Sequence, residues 1–478
     1  MAGGASPGGA LSRAVMRDAA WYGSAGAIAK VLALLTVPVL TRALEPKGYG
    51  LVDLATSTAA LLTLIALLSA DIPAARLSSL ASDTRARSRA LSSYVWLVGG
   101  AGVLIAVLML PLAPLLAQRA WSEPAAGSLA LLTLILVPVS ALQSALAQTQ
   151  RITSRARTFA FLELTDLVAQ LGLAVLFVLL GFGPHGVLLG FILGSVLGLV
   201  AAAAAATTTL RALPDWGVAL SIGLRGAQLL PYAVAFVVGE WLVRAILANS
   251  DGVPAVADFG VAVRLASALT LVGAAFALAW GPIGLSRERG PDTARLFARA
   301  LVAYGFVSLA AAVTIGAVGP ELVRILAGDE YLGAAVILPA LALAAAFAGT
   351  EYVLVVAASL GNNGRLVALG SLAGAATQVA ATAALVQSHG IGAVGPAALI
   401  GRALSFSIML VGTRRDVTYR PLALVAVGLG AALVAVTLQV AISLGAEPQW
   451  PRWLLAAAIA AAGAGYTLQR AGLRSALR

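Results

Sequence analysis

The sequence predicts an all-α polytopic membrane protein, and three observations carry that expectation. Hydrophobic residues make up 60% of the chain, charged residues only 11%, and mean hydropathy is +0.96. A water-soluble domain carries about a quarter charged residues on average. Apolar runs such as Ala27–Leu40, Leu97–Leu116, Leu167–Leu180 and Leu422–Leu444 follow one another with short turns between them. Arginines cluster at every second turn. About 20 apolar residues at 1.5 Å each cross the hydrocarbon core, where a helix satisfies its own backbone. The strands of an outer-membrane barrel would alternate apolar and polar residues, and this chain shows no such period.

Taken in order, the apolar segments give about fourteen helices, at 21–41, 50–70, 92–116, 128–150, 158–180, 186–207, 225–248, 257–280, 296–319, 333–360, 366–387, 391–412, 421–444 and 451–468. With the N-terminus inside, 22 of the 31 Lys and Arg residues fall on the cytoplasmic side, among them the cluster Arg85, Arg87 and Arg89 and the cluster Arg151, Arg155 and Arg157. Only Arg42, Lys47, Arg119, Arg324 and Arg452 fall outside. This positive-inside bias predicts a multi-pass membrane protein with both termini cytoplasmic, and the excess of Arg over Lys with abundant Ala suggests a bacterium, hence the bacterial inner (plasma) membrane. Aromatic residues near helix ends, including Trp21, Tyr94, Trp96, Trp121 and Trp280, have the positions of interface anchors.

Several function classes are set aside by composition. The chain has no cysteine, which removes disulfides, thiolate metal sites and cysteine nucleophiles. Its two histidines, His185 and His389, sit in Gly-rich turns, so no metal site is expected. The net charge of +11 does not point to nucleic acid, because the cations lie at helix ends rather than on one soluble face. No phosphate-binding G-x-x-x-x-G-K-[ST] loop occurs, so ATP is not the fuel. Connections are no longer than about twenty residues, leaving no domain to hold the catalytic loop of a membrane enzyme of glycan assembly. The carboxylate pairs Glu163–Asp166 and Asp329–Glu330 lie near helix ends, where solvated charge explains them. The expectation is therefore a non-enzyme without cofactor.

The chain also contains a repeat, about 210 residues in period. Tyr49-Gly50 opens helix 2 as Phe259-Gly260 opens helix 8, and Asp71-Ile72-Pro73 ends helix 2 as Trp280-Gly281-Pro282 ends helix 8. Gly186-Val187 before helix 6 matches Gly392-Ala393-Val394 before helix 12. Six helices per repeat predict two six-helix lobes related by a pseudo-two-fold axis along the membrane normal, with substrate between them. The organisation that follows is a cytoplasmic tail (1–19), an N-lobe of helices 1–6 (20–208), a cytoplasmic linker (209–224), a C-lobe of helices 7–12 (225–412), and an appended helix pair with a cytoplasmic tail (413–478).

Charges inside spans carry the functional expectation, since a charge at mid-bilayer costs about 2.5–3.5 kcal/mol on insertion scales unless it is paired, hydrated or in use. Lys30, Arg244, Arg264 and Arg402 are the cations in this position, and Asp53, Glu240 and Glu351 are the candidate charge partners or ion-coupling groups. Glu240 and Arg244 are four apart on one helix face and can pair. If helices 1, 2, 7 and 8 line the seam between lobes, Lys30, Arg244 and Arg264 converge on one positively charged cavity, with Arg402 further from it. Such a field suits an anion, and paired arginine donors suit phosphate oxygens.

The stretch Pro38-Val39-Leu40-Thr41-Arg42-Ala43-Leu44-Glu45-Pro46-Lys47-Gly48-Tyr49-Gly50 resembles the polysaccharide flippase family, in which a Pro-Leu-Leu-Thr-Arg-like run and an acidic-Tyr-Gly turn join the first two helices. Pro320-Glu321-Leu322-Val323-Arg324-Ile325-Leu326-Ala327-Gly328-Asp329-Glu330-Tyr331, Gln150-Arg151 and Leu229-Leu230-Pro231 also resemble it. The helix 7 Asp-Arg pair common in that family is replaced here by the spaced Glu240 and Arg244. The resemblance implies the fold shared with multidrug exporters and lipid II flippases, two bundles around a V-shaped central cavity. It also implies an activity: translocation of an undecaprenyl-diphosphate-linked oligosaccharide to the outer leaflet by alternating access. The implied partners are membrane lipids, a lipid-linked glycan, an H+ or Na+ coupling ion, and a polysaccharide polymerase with its chain-length machinery. A cation-coupled multidrug exporter or a lipid II flippase is the alternative reading.

Overall fold

The computed structural model describes residues 7–414 apart from 208, 274–275, 277–279, 281–283, 285–289 and 361–362, with side chains from residue 21 onward except Tyr22. The helices expected at 421–444 and 451–468 lie outside the described residues. Among the described residues every regular element is helical. Nine segments are long and apolar enough to cross a membrane, and three of them, Gly23–Ser79, Ala156–Ala206 and Gly364–Gly412, hold 57, 51 and 49 residues, enough to cross twice. The protein is a multi-pass membrane protein.

The described chain forms two compact units. The first comprises Met1–Thr36, Ala55–Gln118 and Glu123–Val234, and the second comprises Val37–Leu54, Arg119–Ser122 and the chain from Ala235 onward. The helix α1 (Pro7–Leu67) is therefore shared between the two units, and it is broken where the sequence places Pro46. A residue before proline is disfavoured in the α region, and Glu45 accordingly leaves the helix at φ 57°, ψ 167°.

In the first unit, α2 (Asp71–Ser79) and α3 (Thr84–Met109) are followed by α4 (Gly127–Ile152), α5 (Ala156–Phe177) and α6 (Gly183–Ala206). Asp83 caps α3 by accepting from the backbone N–H of Ala86. Alanine and valine dominate the buried cluster to which α1, α3, α4 and α6 contribute Ala66, Val98, Ala141, Ala145 and Ala202. Small side chains let helices approach closely where lipid, as apolar as the core, provides no hydrophobic drive between them. Large apolar residues face outward instead: Leu104, Val107, Leu179 and Leu180 are 58–69% exposed.

The expected linker 209–224 is not irregular throughout. A short helix, α7 (Trp216–Ala227), starts at the cap Asp215 and packs against α2 and α3. The break expected before residue 225 falls instead between α7 and α8 (Leu230–Ser250), at Gln228-Leu229.

The second unit contains α8, α9 (Val253–Ala266), α10 (Pro291–Ala317), α11 (Gly319–Leu326), α12 (Leu332–Leu360), α13 (Gly364–His389) and α14 (Val394–Gly412). Helix α12 is its centre, packed against α9, α10 and α14. In an apolar 18-residue stretch of the span containing it, 61% is buried, against 17% for the corresponding stretch of the span containing α3. Not every aromatic at a helix end is an anchor. Trp96 is 61% exposed, but Tyr94, Trp121 and Trp280 are buried in the protein.

Candidate functional site

Six of the seven intramembrane charges singled out above, all but Lys30, belong to the second unit. Asp53, on the part of α1 that belongs to this unit, is the hub. Arg244 of α8 donates from Nε to Asp53 Oδ2 at 2.8 Å, and both side chains are more than nine-tenths buried. Arg264 of α9 stands with Nη2 3.8 Å from Asp53 Oδ1 and donates from Nη1 to the Tyr49 hydroxyl. Tyr49 lies four residues before Asp53, one helical turn along the same face, so one stretch of α1 supplies both the carboxylate and the phenol. Gly260 makes the approach of α1 to α9 possible, because a Cβ there would lie 2.7 Å from Asp53 Cγ.

Arg244 completes its set with neighbours on and beside its own helix. Nη1 donates to the backbone oxygen of Glu240 at 3.2 Å and lies 3.7 Å from Glu240 Oε2. The guanidinium carbon sits 4.8 Å above the Phe259 ring. A buried charge with this many partners is a fixed structural element, since removing one partner of such a pair leaves an uncompensated charge.

Beside this hub is a cavity of about 420 Å³, lined by Glu240 of α8, Phe259 and Val263 of α9, Tyr352 of α12, Gln378 of α13 and Arg402 of α14, among others. Arg402 points its guanidinium onto the ring of Phe236, 3.3 Å from its centroid, and Nη1 is 3.7 Å from Glu351 Oε2. Phe236, Glu240 and Arg244 recur at four-residue spacing along α8, so a single face of one helix holds Arg402, lines the cavity and engages Asp53.

The predicted site residues thus fall into three groups. Asp53, Arg244 and Arg264 come together at the hub, and Glu240 bridges from the hub to the cavity wall. Arg402, expected away from the site, lines the same cavity as Glu240 and pairs with Glu351. Lys30 lies on an exposed stretch of α1 in the first unit, near the exposed Ile28 and Val31, and does not line this cavity. Among the described residues, the cations behind the expected positive cavity have acidic neighbours: Arg244, Arg264 and Arg402 are matched by Asp53, Glu240 and Glu351.

Sequence reasoning did not assign Phe236, Tyr49, Phe259 or Gly260 to the site. Tyr49 was visible as a landmark of the repeat and of the family-like turn, and the Phe259-Gly260 pair as a landmark of the repeat. Their spacing of four from Asp53, Val263 and Arg264 was the available signal.

The bundle of membrane-crossing helices, with buried ion pairs beside a largely apolar cavity, has a fold that resembles those of solved membrane proteins. The structure resembles the lipid II flippase MurJ in an inward closed conformation, with a TM-score of 0.71 over 95% of this chain and 99% of that one, at 14% identity. It also resembles an inward-facing multidrug resistance MATE family transporter of the MOP superfamily, with a TM-score of 0.64 over 81% of this chain and 94% of that one, at 16% identity. The same transporter family in an outward-facing conformation gives a TM-score of 0.54 over 84% of this chain and 94% of that one, at 16% identity. Among curated proteins none matches the sequence. Residues 15–283 match the family described as polysaccharide biosynthesis protein, and the chain belongs to that family.

Proposed function

We propose that this protein is a flippase that carries an anionic, undecaprenyl-diphosphate-linked oligosaccharide from the cytoplasmic to the outer leaflet of a bacterial inner membrane, by alternating access, for cell-surface polysaccharide assembly. The observation that carries this reading is Arg402, a guanidinium at the wall of a cavity inside a bundle of membrane-crossing helices. Arginine binds phosphate oxygens through paired donors in a fixed plane, and the Phe236 ring holds that plane in place. Arg264, less buried than Arg244, is the second phosphate ligand, and Lys30, an exposed residue of the first unit, is a third cation for the cargo. Arg244 keeps Asp53 and α1 in position. Gln378 and Tyr352 supply the hydrogen-bonding wall that a sugar needs.

Membrane potential favours this direction of movement. With the inside negative, each negative charge exported gains about 2.3 kcal/mol per 100 mV. An H+ or Na+ ion acting through Asp53, Glu240 or Glu351 adds to that drive.

The test is a leaflet-resolved assay with purified protein in liposomes containing a defined lipid-linked glycan. Flipping is expected from the native protein and lost in Arg402→Ala, Arg264→Ala and Lys30→Ala at normal folded yield. Undiminished flipping in the Lys30→Ala, Arg264→Ala double variant removes the charged-site mechanism. A cation-coupled multidrug exporter is the competing reading, favoured by Glu240 and the aromatic Tyr352 and Phe259 on the cavity wall. It predicts transport of organic cations and none of the glycan lipid.

A further inference from the structure

The two arginine–carboxylate pairs of the second unit are built differently, and the difference concerns Glu351. Arg402 Nη1 and Glu351 Oε2 are 3.7 Å apart, beyond the roughly 2.7–2.9 Å of a charge-assisted hydrogen bond. The Arg402 side chain is 20% exposed and reaches the cavity, whereas the Glu351 side chain behind it is only 8% exposed. Oε1 of Glu351 is buried without a hydrogen-bond partner among the described residues, and so is Oγ of Ser405, which sits beside it on α14. Arg402 does not depend on Glu351 for its position, because Phe236 already stacks on it.

We propose that Glu351 is the exchangeable counter-ion of Arg402: an incoming phosphate oxygen takes the place of the carboxylate against the guanidinium, and the displaced carboxylate takes up a proton from water. This inference rests on the reading that the cavity receives a diphosphate-bearing cargo. Arg402 and Ser405 from α14 lie against Glu351, Tyr304 from α10 packs its hydroxyl on Gly349 two residues away, and Glu240 from α8 and Gln378 from α13 line the cavity that Arg402 reaches. Arg402 is the single cation among them. Once the cargo phosphate has neutralised it, an ionised Glu351 has no counter-charge in a low-dielectric interior. The protonated acid is uncharged, and its O–H can donate to the orphan Ser405 oxygen. No such exchange is available at Asp53, whose carboxylate is hydrogen bonded to Arg244 and shielded from the cavity. Cargo and proton therefore bind together, and cargo release returns Glu351 to its pair.

The experiment measures proton uptake on binding of farnesyl diphosphate to the purified full-length protein, by calorimetry in two buffers of different ionisation enthalpy. Native protein is expected to take up about one proton more per diphosphate bound than Glu351→Gln, the probe's own titration being common to both. Arg402→Ala should weaken binding about tenfold or more, through loss of a hydrogen bond to a charged group. In the native protein, the infrared difference spectrum should gain a protonated-carboxyl band that Glu351→Gln lacks. Equal proton uptake in both proteins, or no such band in the native protein, overturns the exchange while leaving the cargo reading intact. Binding that needs sodium rather than a proton overturns it as well. Failure of native protein to bind the diphosphate at all, or binding that Arg402→Ala does not weaken, removes the cargo reading and the exchange with it.

Discussion

Asp53–Arg244 and Glu351–Arg402 contain the same chemical groups in the same unit, yet one is a brace and the other an open contact. At the first, the ions touch at 2.8 Å, both side chains are buried, Arg264 and the Glu240 backbone take further positions, and Tyr49 accepts from Arg264. At the second, the ions are 3.7 Å apart, one carboxylate oxygen is unbonded, and the arginine faces a cavity. Intramembrane charge alone therefore does not identify a binding residue. What separates the two is whether the donors and acceptors are already used.

Mutation should expose that contrast most strongly at Asp53. Asp53→Ala strips the buried Arg244 of its closest counter-ion and leaves it only the looser Glu240 contact at 3.7 Å, at a cost of about 3–5 kcal/mol, seen as loss of folded yield and a lower unfolding temperature in detergent. Glu351→Ala should cost clearly less in the same measurement, and an equal loss would erase the distinction. Gly260→Ala comes next. Its methyl group would meet the Asp53 carboxylate, 2.7 Å from Cγ, and overpacking of this kind costs about 1–3 kcal/mol with the same symptom as Asp53→Ala but weaker. Arg402→Lys keeps the charge but loses the planar fork and its stack on Phe236. Glycan-lipid flipping should fall about tenfold at unchanged folded yield, which is the reverse of the Asp53 pattern. The smallest effect is expected of Tyr49→Phe, which removes one hydrogen bond to Arg264 and about 1 kcal/mol of stability, with flipping altered only in proportion.

The identity of the charged residues was legible in the chain because an ionisable side chain inside an apolar run has few inexpensive environments. Their pairing was not. Glu240 and Arg244, four apart on one helix, suggested a self-contained pair, but Arg244 spends its best hydrogen bond on Asp53, 191 residues away. Arg402 was expected far from the others, and the packing of α14 against α12 and α13 brings it to the cavity that Glu240 lines. The short helix α7 was missed because its apolar residues are too few for a span and follow a stretch that contains Pro214. Trp121 and Tyr94 show the same limit: position near a helix end does not reveal whether the ring faces lipid or protein.

The sequence by itself determined the solvent, the helical character and the approximate register of the spans, because hydrophobic content and run length answer directly to the thickness and dryness of a bilayer. It also determined which side chains had to be accommodated at a cost. Tertiary structure alone decided who neutralises whom and which arginine is left facing a cavity. Ion pairing depends on distances of a few ångströms between helices remote in the chain, and no local pattern encodes them. A glycine that lets two helices close, or an aromatic ring that fixes a guanidinium, acquires its meaning only when the partner helix arrives.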